Sequence, residues 1–159
     1  MTLRTFVTLI AFILTAPGIL RGQTNGHELA WAGADSIVVV GSGRIRLRIY
    51  AWRDFMPSLE RDRDGSDLMV NLQIVSLGAA PLPTGLVVDS AWVRSSEGLW
   101  GTAPSHEPRP DLPNGLDLML RGGPRWATDQ TVDVLVRLRL KKGAAYYLQT
   151  RRQPIGRTS

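Results

Sequence analysis

The stretch that decides the fold is segment 44–52, which reads Arg44-Ile45-Arg46-Leu47-Arg48-Ile49-Tyr50-Ala51-Trp52. Its apolar residues occupy every second position: Ile45, Leu47, Ile49 and Ala51. Arginines and a tyrosine fill the positions between them. Successive side chains of a strand point to opposite faces of a sheet, whereas a helix would mix these two sets. The segment therefore predicts a half-buried β-strand with a basic outer face.

The same alternation recurs along the chain. Segment 131–140 carries valine or leucine at every even position, which predicts a second half-buried strand. Segment 68–77 is apolar on both faces, which is typical of a strand that is covered on both sides. Shorter strand-like runs, separated by turn signals, are 36–40, 86–94, 99–102, 116–120 and 144–150. No helical spacing with caps follows residue 22, so we expect an all-β chain of seven to eight strands.

The mature chain resembles bacterial immunoglobulin-like and fibronectin type III-like domains. The resemblance covers about residues 30–155 and rests on the number of strands and on the closing hairpin of 132–140 and 144–150. It implies a two-sheet antiparallel immunoglobulin-like sandwich, and domains of this shape mostly bind, adhere or space other domains. The Cys–Trp–Cys framework of true immunoglobulin domains is missing, so no functional residue follows from the resemblance.

Residues 1–22 are predicted to be a signal-peptide helix, and residues 23–159 a single β-sandwich domain. Arg4 precedes the apolar run 6–14, and the small and helix-breaking residues Ala16-Pro17-Gly18 follow it, which is the order of an export signal. The run is shorter than the about 20 residues that span a membrane. A short membrane anchor or a buried helix would share this pattern. We expect a periplasmic or secreted protein with no stable membrane span after signal cleavage.

Composition excludes several classes of function. The absence of cysteine excludes disulfides and thiolate sites. Only two histidines are present, which leaves little room for a multi-histidine metal centre. Without residues 1–22, which hold two arginines and no acidic residue, the net charge falls from +5 to +3. No run of five basic residues occurs, so we do not expect nucleic-acid binding.

One candidate contact surface is aromatic. Trp52, Arg53, Phe55 and Met56 lie where a strand runs into a loop, and Trp100 lies beside a glycine-rich turn. Exposed aromatic rings next to arginine suit stacking on sugar rings or a protein hot spot. The alternative is that each ring closes the core at a sheet end.

A second candidate contact surface is basic. Arg44, Arg46 and Arg48 share one strand face, and Arg137 with Arg139 shares another. If these strands lay in one sheet, the five arginines would form a stripe for an acidic polysaccharide, lipid headgroups or an acidic protein. The alternative is that these outward charges only keep the sheet solvated and prevent aggregation.

A third candidate is an acidic loop over 60–67. Asp62, Asp64 and Asp67 offer the hard oxygen ligands that calcium prefers, and Gly65 allows a tight turn. The position of the bidentate glutamate in a full calcium loop is occupied by Asn71. A solvated turn is the alternative, and no cofactor is predicted unless this loop binds calcium.

Motifs of known catalytic sites are missing from the sequence, including those of zinc proteases, serine hydrolases and nucleotide-binding loops. His106 lies in a proline-rich stretch, and its combination with Met56 or Met119 is compatible with copper by ligand type. The sequence favours a noncatalytic binding module that contacts a protein or polysaccharide at the cell envelope or outside the cell. The alternatives are a calcium-stabilised structural domain and a small hydrolase or copper protein.

Overall fold

A computed structural model describes residues 24–56, 64–106, 115–140, 143 and 145–158. One helix, α1 (Thr24–Gly33), precedes the strands. In chain order the strands are β1 (Ile37–Val40), β2 (Gly43–Asp54), β3 (Leu68–Ser76), β4 (Leu86–Ser95), β5 (Gly98–Thr102), β6 (Ser105–His106), β7 (Gly115–Gly123), β8 (Thr131–Leu140) and β9 (Ala145–Thr158). The all-β prediction is confirmed, but the described residues hold nine strands and not seven to eight. The predicted signal peptide lies outside the described residues.

Hydrophobic alternation explains the two strands that the sequence marked most clearly. In β2, Ile45, Leu47 and Ala51 are buried, and the arginines between them are exposed. In β8, the inward valines and Leu138 are fully buried. Strand β3 lies between β2 and β7, which accounts for its partly covered outer face.

The strands follow one hydrogen-bonded path, β5-β4-β8-β9-β2-β3-β7-β6, with β1 beside β2. All neighbours are antiparallel except β2 and β9. Strand β9 pairs first with β8 and, from Ile155 onward, with β2. At the ends of the path, β5 and β6 are separated only by Ala103 and Pro104. The strands expected in two separate sheets thus form one continuous, curled sheet.

The curled sheet encloses one apolar core to which both of its halves contribute. Its central members from β2, β3 and β7 are Ile45, Leu47, Ala51, Val70, Leu72, Ile74, Leu118 and Leu120. Those from β4, β8 and β9 are Val88, Ala91, Val93, Val132, Val134, Val136, Leu138, Leu148 and Ile155. Because these side chains fill the inner face, the alternate residues of every strand are directed to the outer surface.

Helix α1 is a feature that the sequence pattern did not predict. Trp31 and Ala34 pack on Leu135 of β8, with Trp92 and Tyr147 at the edge of this cluster. Alternation places Leu135 on the outer face, yet its exposed fraction is 0% because the helix covers it. In the part of the chain that the structure describes, no comparable helix covers the outer face of β2, β3 and β7.

Candidate binding surface

The outward side chains of β2 form a line that we call the β2 outer row: Arg44, Arg46, Arg48, Tyr50 and Trp52. The three arginines and Tyr50 are exposed, and Trp52 is half-buried. Strand geometry spaces successive members about 6.6 Å apart, so the row is about 26 Å long. Backbone alternation in β2 therefore sets a basic segment and an aromatic segment side by side.

In the described strands β1 and β3, no acidic residue lies directly opposite the arginines of the β2 outer row. The residues of β1 and β3 in register with them are Ile37, Val39, Gln73 and Val75. Among the residues that the structure describes, none of the three arginines forms an ion pair. Their charges are therefore open to an external partner.

Asp117 of β7 is an acidic neighbour on the same face. It is in register with Gln73 of β3, which in turn is in register with Arg48. Its carboxylate is 3% exposed and accepts hydrogen bonds from the amides of Asn71 and Gln73. Two strand widths, about 9.5 Å, separate the backbones of Asp117 and Arg48, and no ion pair joins their side chains in the described part of the chain.

The arginines of β4 and β8 are paired, in contrast to those of β2. Nε of Arg137 lies 2.7 Å from Oδ1 of Asp89, and Nη1 of Arg139 lies 3.4 Å from Oδ2 of the same carboxylate. Nη2 of Arg94 lies 3.0 Å from Oδ2 of Asp133. Strands β8 and β2 lie in the same sheet, as a single stripe of five arginines would require, but β9 lies between them and only the arginines of β8 are paired with Asp89.

The pairing of Asp89 predicts an acid-sensitive contribution to stability. Burial raises the pKa of Asp89, but the hydrogen bond and charge of Arg137 outweigh burial and hold the pKa below its usual value. Such a carboxylate stabilises the folded chain above its unfolded pKa of about 3.9, and this contribution is lost as the pH falls through the lower folded pKa. We expect Asp89→Asn to lower the free energy of unfolding by about 1 kcal/mol near neutral pH.

The difference between the wild type and Asp89→Asn should shrink as the pH falls from about 4 toward about 2. Urea unfolding of both proteins across this range measures it. A difference that stays constant down to the lowest pH would mean that side-chain packing, and not the ionised carboxylate, explains the loss.

Tyr50 and Trp52 form a stacked pair at one end of the β2 outer row. Their ring centroids are 5.2 Å apart, and the ring planes differ by 23°. Tyr50 is 54% exposed. Gly156 of β9 is in register with Trp52, and a Cβ there would lie only 3.1 Å from Oη of Tyr50. The missing side chain at 156 lets the Tyr50 ring lie across β9.

Arg53, which the sequence analysis assigned to the contact surface, is instead buried at 6% exposure. Its Nε donates to the carbonyl of Ser66 at 2.8 Å, and its Nη1 to the carbonyls of Trp126 at 3.0 Å and Arg125 at 3.2 Å. Nη2 donates to the carbonyl of Asp64. Burial lowers the pKa of Arg53 from its ordinary value. Position 53 continues the series of inward-facing positions in β2. From there the guanidinium group bonds to two separate loops, which contain residues 64–66 and 125–126.

The remaining aromatic candidates divide between this corner and the core. Phe55 is half-buried between the guanidinium groups of Arg53, at 5.0 Å from the ring centroid, and Arg157, at 4.2 Å. Met56 is 56% exposed. Trp100 packs against the core from β5, at the end of the hydrogen-bonded path, and does not adjoin the β2 outer row.

The acidic loop is only partly described, because Asp62 lies outside the described residues. Asp64 and Asp67 are both exposed. Oδ1 of Asp67 lies 3.0 Å from Nε of Arg125, and the carbonyl of Asp64 accepts from Arg53. Within the described ranges, no three acidic or histidine side chains are grouped so that they could hold a metal ion. Calcium binding by this loop stays a prediction.

His106 is exposed on the two-residue strand β6, which pairs with β7. The neighbouring Ser105 donates its hydroxyl to the carbonyl of Met119 at 3.1 Å. Met119 is buried, whereas Met56 is exposed. The copper and hydrolase alternatives stay predictions.

A cleft of about 340 Å³, which the sequence pattern did not indicate, lies between α1 and the turn from β4 to β5. The guanidinium of Arg94 lies 4.4 Å from the ring of Trp31 in this region. The other lining residues are Glu28, Ser95, Ser96, Glu97, Gly98 and Leu99. Two large outward apolar residues, Trp92 and Leu135, were the available signal that another element covers this face.

In the residues that the structure describes, no helix has the length and apolar character to cross a membrane. No family model matches the chain, and the comparisons with curated proteins and with solved structures find no similar protein.

Proposed function

We propose that this chain is an exported, noncatalytic module that binds an anionic partner through the β2 outer row. The observation that carries the proposal is the row of three exposed arginines with no acidic residue in register. Like charges along one strand repel one another and lower stability unless a counter-charge is supplied. The same chain supplies such counter-charges to its arginines on β4 and β8. A partner that brings its own negative charges explains this difference.

The proposal of export rests on the pattern of residues 1–22, in which a basic start, an apolar run and small residues follow one another. A protein at the cell envelope or outside the cell meets anionic polymers on cell surfaces. The mildly positive net charge of the chain favours the approach of such polymers.

We also propose that the curled sheet is an immunoglobulin-like sandwich whose two layers are joined where β9 passes from β8 to β2, and the order of the strands supports this. Strands β2-β3-β7-β6 follow the order A-B-E-D of such a domain, and β4-β8-β9 follow the order C-F-G. Strand β5 would be an additional strand beside β4. This architecture hosts many functions, so the binding proposal depends on the β2 outer row and not on the fold.

The binding test is a triple substitution, Arg44→Gln, Arg46→Gln and Arg48→Gln. Each exposed charge pair contributes about 0.5–1 kcal/mol, so we expect the affinity for an anionic polymer to fall about 10- to 100-fold. The probes are dextran sulfate and polyglutamate, titrated by calorimetry at low salt. Added salt should weaken wild-type binding more than binding by the triple variant, because salt screens the arginine contacts that only the wild type makes.

A matched control removes the same charge from other exposed positions. Arg139→Gln, Arg151→Gln and Arg152→Asn lie on β8 and β9 and are not members of the β2 outer row. Asparagine is chosen at 152 because the backbone there has a φ of 54°, which this residue tolerates. The control should bind as the wild type does. Equal losses in both triple variants, or no binding of either polymer to the wild type, would refute the proposal.

A further inference from the structure

We infer that the anionic partner is an acidic polysaccharide, with its sugar rings on Tyr50 and Trp52 and its acid groups along the arginines of the β2 outer row. This inference rests on the proposed function and names the chemistry of the partner. It depends on two features of the surface, namely the position of β2 inside the sheet and the continuity of its charged and aromatic segments.

The position of β2 argues against an extended acidic peptide. Peptides usually bind a sheet by adding a strand to an open edge, where backbone groups are free. Strand β2 is paired with β3 on one side, and on the other side β1 pairs with residues 43–46 and β9 with residues 51–54, so only residues 47–50 lack a strand partner there. A gap of four residues offers an added peptide strand few backbone groups, whereas the outer row offers five side chains to a partner that has no peptide groups.

The aromatic segment favours a ligand with rings. The apolar C–H face of a pyranose packs on an exposed aromatic face, and aromatic side chains contribute large contact areas. The exposed ring of Tyr50 is supported from behind by its stack with Trp52 and by the close approach of Gly156. A ring that is held on one face and at its hydroxyl end keeps its other face for a ligand and loses little side-chain entropy when the ligand binds. An acidic peptide of glutamate and aspartate would leave this platform unused.

The charged segment favours acid groups at repeated intervals. Arg48 lies two residues before Tyr50 in β2. Arg46 and Arg44 continue the row beyond it, at equal spacings of about 6.6 Å. Guanidinium groups form two parallel hydrogen bonds with a carboxylate or a sulfate, and their long stems tolerate different spacings. A linear polymer of about 26 Å would therefore contact both segments at once.

The experiment compares three probes with the purified protein by calorimetry: oligogalacturonate, polyglutamate of equal charge, and an uncharged oligosaccharide of equal length. We expect oligogalacturonate to bind most tightly. Tyr50→Thr should weaken this binding about tenfold, because it removes the ring while it keeps a residue that suits an exposed strand position. The same substitution should leave polyglutamate binding unchanged.

Two variants separate the role of the ring from other effects. Tyr50→Phe keeps the ring and should bind oligogalacturonate within about twofold of the wild type. Gly156→Ala keeps both rings and shifts the hydroxyl end of Tyr50 by only a few tenths of an ångström, because the new Cβ would lie 3.1 Å from its Oη, so both acidic polymers should still bind within about twofold of the wild type. Circular dichroism and thermal melting confirm that each variant is folded.

The outcomes distinguish the two proposals. If polyglutamate binds as tightly as oligogalacturonate, and Tyr50→Thr changes neither, the partner is an acidic protein segment and this inference fails while the proposed function stands. If no anionic probe binds, both fail. If the uncharged oligosaccharide binds as tightly as the acidic one, the arginines are not part of the site, and the inference fails as well.

Discussion

Replacement of Arg53 by methionine is expected to lower the free energy of unfolding by about 3–5 kcal/mol. The guanidinium donates to four carbonyls, those of Asp64, Ser66, Arg125 and Trp126, from a position that is 6% exposed. Methionine fills most of the volume but donates nothing, so these carbonyls lose a charged donor in a place that water reaches poorly. Since domains of this size are stable by about 5–15 kcal/mol, the loss is a large part of the total.

Arg53→Lys is the control for charge. An ammonium group keeps the positive charge, but it lacks the planar fork that reaches carbonyls on two separate loops. We expect about half of the loss seen with methionine. Equilibrium unfolding in urea measures all three proteins. If Arg53→Met unfolds within about 1 kcal/mol of the wild type, the hydrogen bonds of this side chain contribute little and the assigned structural role is wrong.

Gly65→Ala is expected to have the second-largest effect, a loss of about 2–4 kcal/mol. Gly65 has a φ of 77°, which disfavours any residue with a Cβ. The new Cβ would also lie 2.7 Å from two ring carbons of Phe55. That ring cannot move freely, because the guanidinium groups of Arg53 and Arg157 lie 5.0 Å and 4.2 Å from its centroid. Backbone strain and a steric clash therefore add to one another.

Gly41→Ala separates these two contributions. Gly41 has a similar φ of 62°, but a Cβ there would meet no atom within 4 Å. We expect backbone strain alone to lower the free energy of unfolding of this variant, by about 1 kcal/mol. Thermal or urea unfolding of both variants gives the difference that the Phe55 contact adds. Equal losses for the two substitutions would contradict the packing that we describe around Phe55.

Local alternation was enough to predict the strands and their faces. In β2 the buried and exposed positions follow the sequence pattern from Arg44 to Arg48 without exception. The same alternation, continued beyond Ala51, places Arg53 on the inner face of the sheet. The burial of Arg53 was therefore predictable from the sequence, and its placement on the contact surface was wrong. Its four carbonyl partners were not foreseeable, since Arg125 and Trp126 are more than 70 positions away in the chain.

Charge neutralisation could not be predicted from local sequence either. The two arginine-bearing strands, β2 and β8, look alike, with arginine at alternate outward positions. The sheet sets Asp89 of β4 beside Arg137, whereas β1 and β3 bring Val39 and Gln73 to the row on β2. Strand pairing alone decides which arginines are neutralised, because cross-strand neighbours come from distant parts of the chain.

By itself the sequence determined that the chain is all-β, which residues face inward, and where a basic and an aromatic segment follow one another on one strand. The alternation of side chains between the two faces is a property of the strand backbone, so neighbouring residues are enough to reveal it. Only the tertiary structure decided that α1 covers Leu135, that β9 joins the two halves of the sheet, and that the β2 outer row has no acidic residue in register. These features depend on contacts between residues far apart in the chain, and such contacts are set by the packing of the whole core.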